Sequence, residues 1–257
     1  MIDIGKLYCG GSSTGDGLRY GTEAPSDAHG NAPHRREVLA SERRPIVVWS
    51  TTRSCNLSCV HCYTDSANMK YSGELDTDEG MKLVDDLAAF RVPSLLFSGG
   101  EPLMRKDLFR LIEHVSNAGI RPVISTNGTL IDREAAHSIR NAGVTYVGIS
   151  LDGMEEVNDR FRGMKGAFSK AMKGFEHCIA VGQRVGLRLT LTRRNYEDLD
   201  GIFDFIEREK ISRACFYHLV YSGRGGNMYG DDLTHAESRR AMDIILKRTK
   251  DYFDRGL

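Results

Sequence analysis

Residues 107–153, DLFRLIEHVSNAGIRPVISTNGTLIDREAAHSIRNAGVTYVGISLDG, contain one unit written twice. A helical period over about 107–117 places Leu108, Leu111, Ile112 and Val115 on one face, and the run closes on Asn-Ala-Gly. An apolar strand, IRPVISTNG, follows. A second helix over about 132–141 again closes on Asn-Ala-Gly and leads into VTYVGISLDG. Gly119 and Gly143 stand where a helix turns left-handed at its end, a conformation that penalises a Cβ. Two equivalent helix–strand steps in succession are the signature of a parallel sheet.

The rhythm extends both ways from this stretch. Upstream, PIVVWST (45–51) reads as a buried strand, a helix over about 77–90 aligns Met81, Val84, Leu87 and Ala88, and SLLFSGG (94–100) is the next strand. Asp76 to Glu79 supply the acidic start that suits a helix N-terminus. Downstream, a helix near 167–181 precedes RVGLRLTLTRRN (184–195), and one near 196–209 precedes SRACFYHLVYSGRGG (212–226). The final helix, ESRRAMDIILKRTKDYFD (237–254), is expected to turn Met242, Ile245 and Thr249 inward. Six strands, each followed by a helix, imply a right-handed parallel sheet wrapped part-way round, with a doubly wound sheet as the competing arrangement. Either way, ligands gather at the carboxyl ends of the strands. Residues 1–44 read as an N-terminal extension, partly irregular, with Leu7, Tyr8, Leu18 and Tyr20 lying against a core domain at 45–257.

Composition narrows the function. Lys plus Arg and Asp plus Glu each number 35, so no net field draws the chain to nucleic acid or an anionic membrane. No run of eighteen apolar residues exists, which excludes a spanning helix, and the N-terminus lacks the pattern of a secretory signal. Six cysteines in 257 residues are too few for a disulfide scaffold, and three are bunched, so a reducing, cytoplasmic setting is expected. Cys178 and Cys215 lie in apolar runs and read as small buried hydrophobes. Nothing in the sequence orients Cys9.

The chemistry falls at the strand ends. After strand one comes TTRSCNLSCVHCYTDS (51–66), in which Cys55, Cys59 and Cys62 have the spacing C-x3-C-x2-C. Three thiolates on one loop can hold an iron–sulfur cube while leaving its fourth iron open. Zinc, with His61 as fourth ligand, is the structural alternative, made awkward by the adjacency of His61 and Cys62 and by the absence of a second cysteine knuckle. Strand two ends in FSGGEP (97–102), where Gly99 and Gly100 let backbone approach a ligand, Glu101 suits an ammonium group and Pro102 stiffens the exit. Ser125-Thr126-Asn127-Gly128 and Ser150-Leu151-Asp152-Gly153 end strands three and four with compact donors and acceptors, though both are also favoured turn sequences. Arg162, in NDRFRG, can grip a carboxylate or simply be a surface arginine.

CNLSCVHC at 55–62, with GGEP at 99–102, STNG at 125–128 and SLDG at 150–153, resembles the radical S-adenosylmethionine enzymes over roughly residues 45–253. That resemblance implies an α/β fold of the partial (β/α)6 TIM-like barrel kind. It also implies a [4Fe–4S] cluster on Cys55, Cys59 and Cys62, with S-adenosyl-L-methionine chelating the fourth iron. By the same carry-over, Gly99, Gly100 and Glu101 receive the methionyl amino group, and Ser125, Ser150 and Arg162 face the ribose and carboxylate. Asn127 and Asp152 shape the mouth, and His61 lies by the adenine. The implied chemistry is reductive cleavage to methionine and a 5′-deoxyadenosyl radical that abstracts hydrogen, with no side chain assigned as a catalytic base.

MIDIGKLYCG, GLRYG at 17–21, RRPIVVWSTTRSCNLSCVHCYTDS and FRGMKGAF are similar to the haem-biosynthesis branch of that family. This implies an iron tetrapyrrole substrate, with removal of acetate side chains from 12,18-didecarboxysirohaem to give iron-coproporphyrin III as the leading activity and a haem d1 step as its neighbour. A flavodoxin or ferredoxin is implied as electron donor. Arg193, Arg194, His218, Tyr221 and Arg224, with Arg19 and Tyr20, are the cationic and aromatic groups available to such a substrate, His218 by pointing inward. A cysteine-containing extension with a second cluster normally follows the barrel in this branch; the sequence runs to Leu257 without those cysteines. Other readings are a peptide-modifying radical enzyme and a non-catalytic iron–sulfur electron carrier or interaction module.

Overall fold

A computed structural model describes residues 4–9 and 44–256. Arg19, Tyr20 and Leu18, and the side chain of Leu7, lie outside the described residues. Strands β1 (Val47–Thr52), β2 (Ser94–Gly99), β3 (Arg121–Thr126), β4 (Tyr146–Ser150), β5 (Val185–Leu191) and β6 (Ala214–His218) pair in parallel in the order 1-2-3-4-5-6. A doubly wound sheet reverses its order part-way across; this one does not, and β1 and β6 remain its two edges. The sheet is therefore that of a partial barrel.

The helices are α1 (Ile4–Cys9), α2 (Thr77–Ala89), α3 (Leu108–Asn117), α4 (Arg133–Asn141), α5 (Glu155–Arg162), α6 (Ala167–Ala180), α7 (Leu199–Arg208) and α8 (His235–Asp254). Their apolar stripes cover one face of the sheet. Leu95, Phe97, Ile124, Val147, Ile149, Leu187 and Leu189 from the strands meet Leu111, Ile112, Val115, Ile139, Phe175 and Ile202 from the helices in one buried cluster. The expected caps are present. Asp76 and Glu79 form a reciprocal capping box on α2, and Asp132 accepts from Ala135 N at the start of α4. Gly119 and Gly143 take φ of 78° and 85°.

In a parallel sheet, side-by-side residues share a face and successive residues alternate between faces. With the Leu and Ile positions turned to the helices, the opposite face carries Ser125 beside Gly148, Gly148 beside Gly186, and Arg188 between Ser150 and Cys215. This polar inner wall leads up to the loops that follow the strands.

Three expectations change. His218 pairs with Leu191, so it falls on the helix side with Ala214 and Phe216, and it is exposed; Tyr217 is the inward residue. Ile245 is buried in α8 as expected, but Met242 is 37% exposed and Ala241 takes its place on the inner face. Helix α5, unforeseen, makes Arg162 the last residue of a helix capped by left-handed Gly163. Cys178 is fully buried, Cys215 half-buried. Helix α1 lies against α8, with Ile4 rather than exposed Tyr8 packed on the core. No helix among the described residues is long and apolar enough to cross a membrane.

Candidate cofactor site at the carboxyl ends of the strands

The cysteine loop leaves β1 and is strapped to three other elements. Cys55 N donates to Ala67 O (3.0 Å), while Ser58 N and Val60 N donate to Arg162 O (3.2 Å) and Phe161 O (2.9 Å) at the end of α5. From the loop after β6, Arg224 N donates to Cys62 O (2.9 Å), and the Arg224 side chain donates to Cys59 O, Ser66 O and Asp65 Oδ1, each at 2.8 Å. Arg224 therefore clamps the cysteine loop instead of facing a substrate.

Each sulfur has a donor aimed at it. Leu57 N donates to Cys55 Sγ (3.5 Å), with Asn127 Nδ2 at 4.0 Å. Arg162 Nη1 donates to Cys59 Sγ (3.7 Å), and Ser66 N donates to Cys62 Sγ (3.4 Å), with Thr64 Oγ1 at 3.3 Å. Donors of this kind favour thiolate, the form that binds metal. Burial pushes the Cys55 thiol up to about 11 and raises that of Cys59. Burial acts the same way on Cys62, but hydrogen bonds from Thr64 and Ser66 outweigh it and lower the thiol. Iron would displace the protons that burial favours on the first two. His61, the fourth ligand that zinc requires, is instead engaged elsewhere. The donor set thus fits a cluster better than one zinc ion.

That engagement is a buried ionic chain. Arg162 Nη2 lies 2.5 Å from Asp152 Oδ2, and His61 Nε2 lies 3.1 Å from the same oxygen. Thr190 N donates to Asp152 Oδ1 (2.9 Å). Burial would raise the Asp152 carboxyl, but the Arg162 guanidinium and His61 hold it well below the usual carboxylate range. His61 also packs edge-on to Phe161 at 5.5 Å. Arg162, Asp152 and His61, the residues expected around S-adenosylmethionine, join Cys59 to the ends of β4 and β5.

Glu101 is held as firmly by its neighbours. It is fully buried, and its carboxylate accepts from Thr126 Oγ1 (2.8 Å), Asn127 N (2.8 Å) and Leu103 N (3.1 Å). An ammonium group would have to compete with all three. The glycines before it are needed because backbone packs on them. A Cβ on Gly99 would lie 2.2 Å from Thr52 O, and one on Gly100 would lie 2.3 Å from Ser54 O. Gly100 N and Glu101 N donate to these same carbonyls, at 2.7 and 2.9 Å. Gly100→Ala is expected to push the cysteine loop off β2, giving a protein that loads less than about a tenth of the wild-type iron and is destabilised by roughly 1–3 kcal/mol. Iron content and chemical denaturation of the variant check this.

Asn127 Nδ2 donates to Asn56 Oδ1 (2.9 Å), and its own Oδ1 accepts from Thr129 N (2.9 Å) and Thr129 Oγ1 (2.7 Å), so it ties β3 to the cysteine loop. Ser125 and Ser150 are half-buried on the inner wall. Of the remaining expected substrate groups, Arg193 pairs with Glu237 (3.0 Å), Arg194 with Asp231 (2.6 Å), and Tyr221 donates to Asp232. Sequence reasoning missed Arg188, although its place in the alternation GLRLTL marks it as inward.

A model described as the radical SAM superfamily matches residues 49–206. Fe-coproporphyrin III synthase of Methanosarcina barkeri is 50% identical over 256 residues, covering 100% of this chain and 63% of the relative. Pre-heme d1 synthase of Dinoroseobacter shibae is 42% identical over 216 residues, covering 84% of this chain and 54% of the relative. The chain thus spans between about half and somewhat under two thirds of these relatives. In fold, it is similar to a solved structure described as native anSMEcpe with bound AdoMet, with a TM-score of 0.70 at 21% identity, over 82% of this chain and 61% of that one.

Proposed function

The chain belongs to the radical SAM superfamily, and from that premise we propose that it acts in haem biosynthesis. Its proposed reaction removes acetate side chains from 12,18-didecarboxysirohaem to give iron-coproporphyrin III. The observation that carries the substrate is the 50% identity to Fe-coproporphyrin III synthase, which extends across the full chain. A haem d1 step is the second reading, favoured by the likeness to pre-heme d1 synthase.

In this reading Cys55, Cys59 and Cys62 would hold a [4Fe–4S] cluster, and S-adenosyl-L-methionine would bind beside it. When bound, these groups supply a 5′-deoxyadenosyl radical that abstracts hydrogen from the substrate. The chain's own residues position and shield. Donors from Leu57, Arg162 and Ser66 fix the sulfurs. Ser125 and Ser150 offer hydroxyls to the ribose and carboxylate of S-adenosylmethionine, and Gly99 and Gly100 present backbone at the mouth. Glu101, Asn127 and the Asp152–Arg162 pair hold the strand ends and loop around it, while His61 borders the adenine. A flavodoxin or ferredoxin is the class of donor that reduction requires.

Anaerobic turnover with 12,18-didecarboxysirohaem tests the proposal. Iron-coproporphyrin III is the expected product. A haem d1 precursor, formed instead from its own substrate, would favour the second reading, and S-adenosylmethionine cleavage without change to any tetrapyrrole would reject both.

A further inference from the structure

Below the strand ends, the inner wall holds a second polar arrangement that no part of the cofactor site uses. Arg188 of β5 stands in register with Ser150 of β4 and Cys215 of β6. It is half-buried, and among the described residues its guanidinium makes no hydrogen bond or ion pair. Its ring contact is with Tyr217, 5.0 Å from the guanidinium carbon to the ring centre. On the next strand the Tyr146 hydroxyl is buried and has no hydrogen-bond partner. Arg188, Arg213, Cys215 and Tyr217 all lie close enough to act on it electrostatically. Arg213 stacks over the Tyr146 ring at 5.5 Å.

Two glycines make this arrangement possible. A Cβ on Gly148 would lie 2.6 Å from Arg188 Cδ, and one on Gly186 would lie 2.3 Å from Tyr146 Oη. Gly148 and Gly186 are themselves register partners. The wall is therefore carved to admit one guanidinium and one phenol that the protein leaves unmatched. An unpaired, partly desolvated cation and a buried donor without an acceptor are each unfavourable, and an anion with planar oxygens relieves both. The guanidinium fork matches a carboxylate two bonds at a time.

We propose that Arg188 and Tyr146 form a carboxylate-anchoring subsite that holds one acidic side chain of the substrate within the barrel. This rests on the tetrapyrrole reading above, since such a substrate carries several carboxylates. Arg188 is an anchoring residue here, and Ser150 in the same row links its position to the proposed cofactor mouth.

The test is equilibrium binding of an iron tetrapyrrole to the reconstituted protein without reductant, followed by its visible absorption. The free acid is compared with its methyl ester. Arg188→Met is expected to weaken the free acid roughly 10- to 100-fold while leaving the ester unchanged, because only the acid forms charge-assisted bonds. Arg188→Lys should recover part of the loss, and Tyr146→Phe should cost a few-fold. The ester, measured on the same variant, controls for misfolding. Equal binding of the free acid by wild type and Arg188→Met overturns the subsite alone, as does an equal loss for acid and ester. A wild-type protein that cleaves S-adenosylmethionine but binds no tetrapyrrole overturns the substrate reading together with the subsite.

Discussion

Replacing Cys55, Cys59 and Cys62 together by alanine is expected to yield a chain that folds but carries no cluster iron and forms no 5′-deoxyadenosine above background. The fold should survive because the loop is held largely by backbone. Cys55 N, Ser58 N and Val60 N donate to carbonyls of Ala67, Arg162 and Phe161, and Arg224 grips the loop from the other side. None of these bonds needs a sulfur. The three thiols form only a small satellite cluster with Leu57, Cys62 being half-buried and Met164 packed beside them, apart from the main core. Their loss therefore removes the ligands and leaves the scaffold. Iron analysis, the visible spectrum and product chromatography on the same preparation check the outcome. Retained cleavage of S-adenosylmethionine by the triple variant would place the reaction elsewhere.

Arg162→Met is expected to have the largest effect on stability of any single change at the site. It leaves Asp152 as a buried charge held only by His61 and the Thr190 amide, and it removes the donor to Cys59 Sγ. Breaking one partner of a buried pair costs about 3–5 kcal/mol. For a domain of this size each kcal/mol is worth roughly 2–4 °C of melting temperature. Part of that loss should return in Arg162→Met/Asp152→Asn, where no orphaned charge remains.

The pH dependence has a definite sign. In the wild type the Asp152 carboxyl is depressed, chiefly by Arg162 against the effect of burial. Its stabilisation is present above the unfolded carboxylate pKa of about 4 and is lost only as pH falls through the lower folded value. In Arg162→Met burial dominates and the folded carboxyl rises, so the native variant binds a proton the wild type does not. The deficit relative to wild type should therefore shrink toward pH 4 and grow toward pH 8. Denaturant unfolding across that range reads it directly, and a pH-independent deficit would contradict the charge argument.

The legible part of the chain is the part written in local periods. The repeated helix–Asn-Ala-Gly–strand units carry their apolar stripes and left-handed caps in sequence, and the observed helices at Leu108–Asn117 and Arg133–Asn141 follow them closely. Helix α5 was not legible because Val157 and Phe161 are nearly its whole apolar stripe, too little to register as a period. The motif residues were found, but their partners were not. Glu101 reads as a free acceptor until β3 brings Thr126 and Asn127 against it. Arg162 reads as a carboxylate-gripping or a surface arginine until α5 folds it onto Asp152 and Cys59. Arg224 lies far along the chain from the loop it clamps. His218 depended on the parity of a strand whose first residue the sequence does not mark. Arg188 was within reach, since Arg188 and Thr190 alternate with Leu187, Leu189 and Leu191.

The cysteine loop and strand-end mouth are read together as one site for S-adenosylmethionine. The most direct test is to reconstitute the protein anaerobically, confirm its iron loading, reduce it, add S-adenosylmethionine and measure both products. Methionine and 5′-deoxyadenosine in equal amounts are expected, and neither should form with the triple cysteine variant. Absence of both products from fully loaded, reduced wild-type protein would contradict the reading.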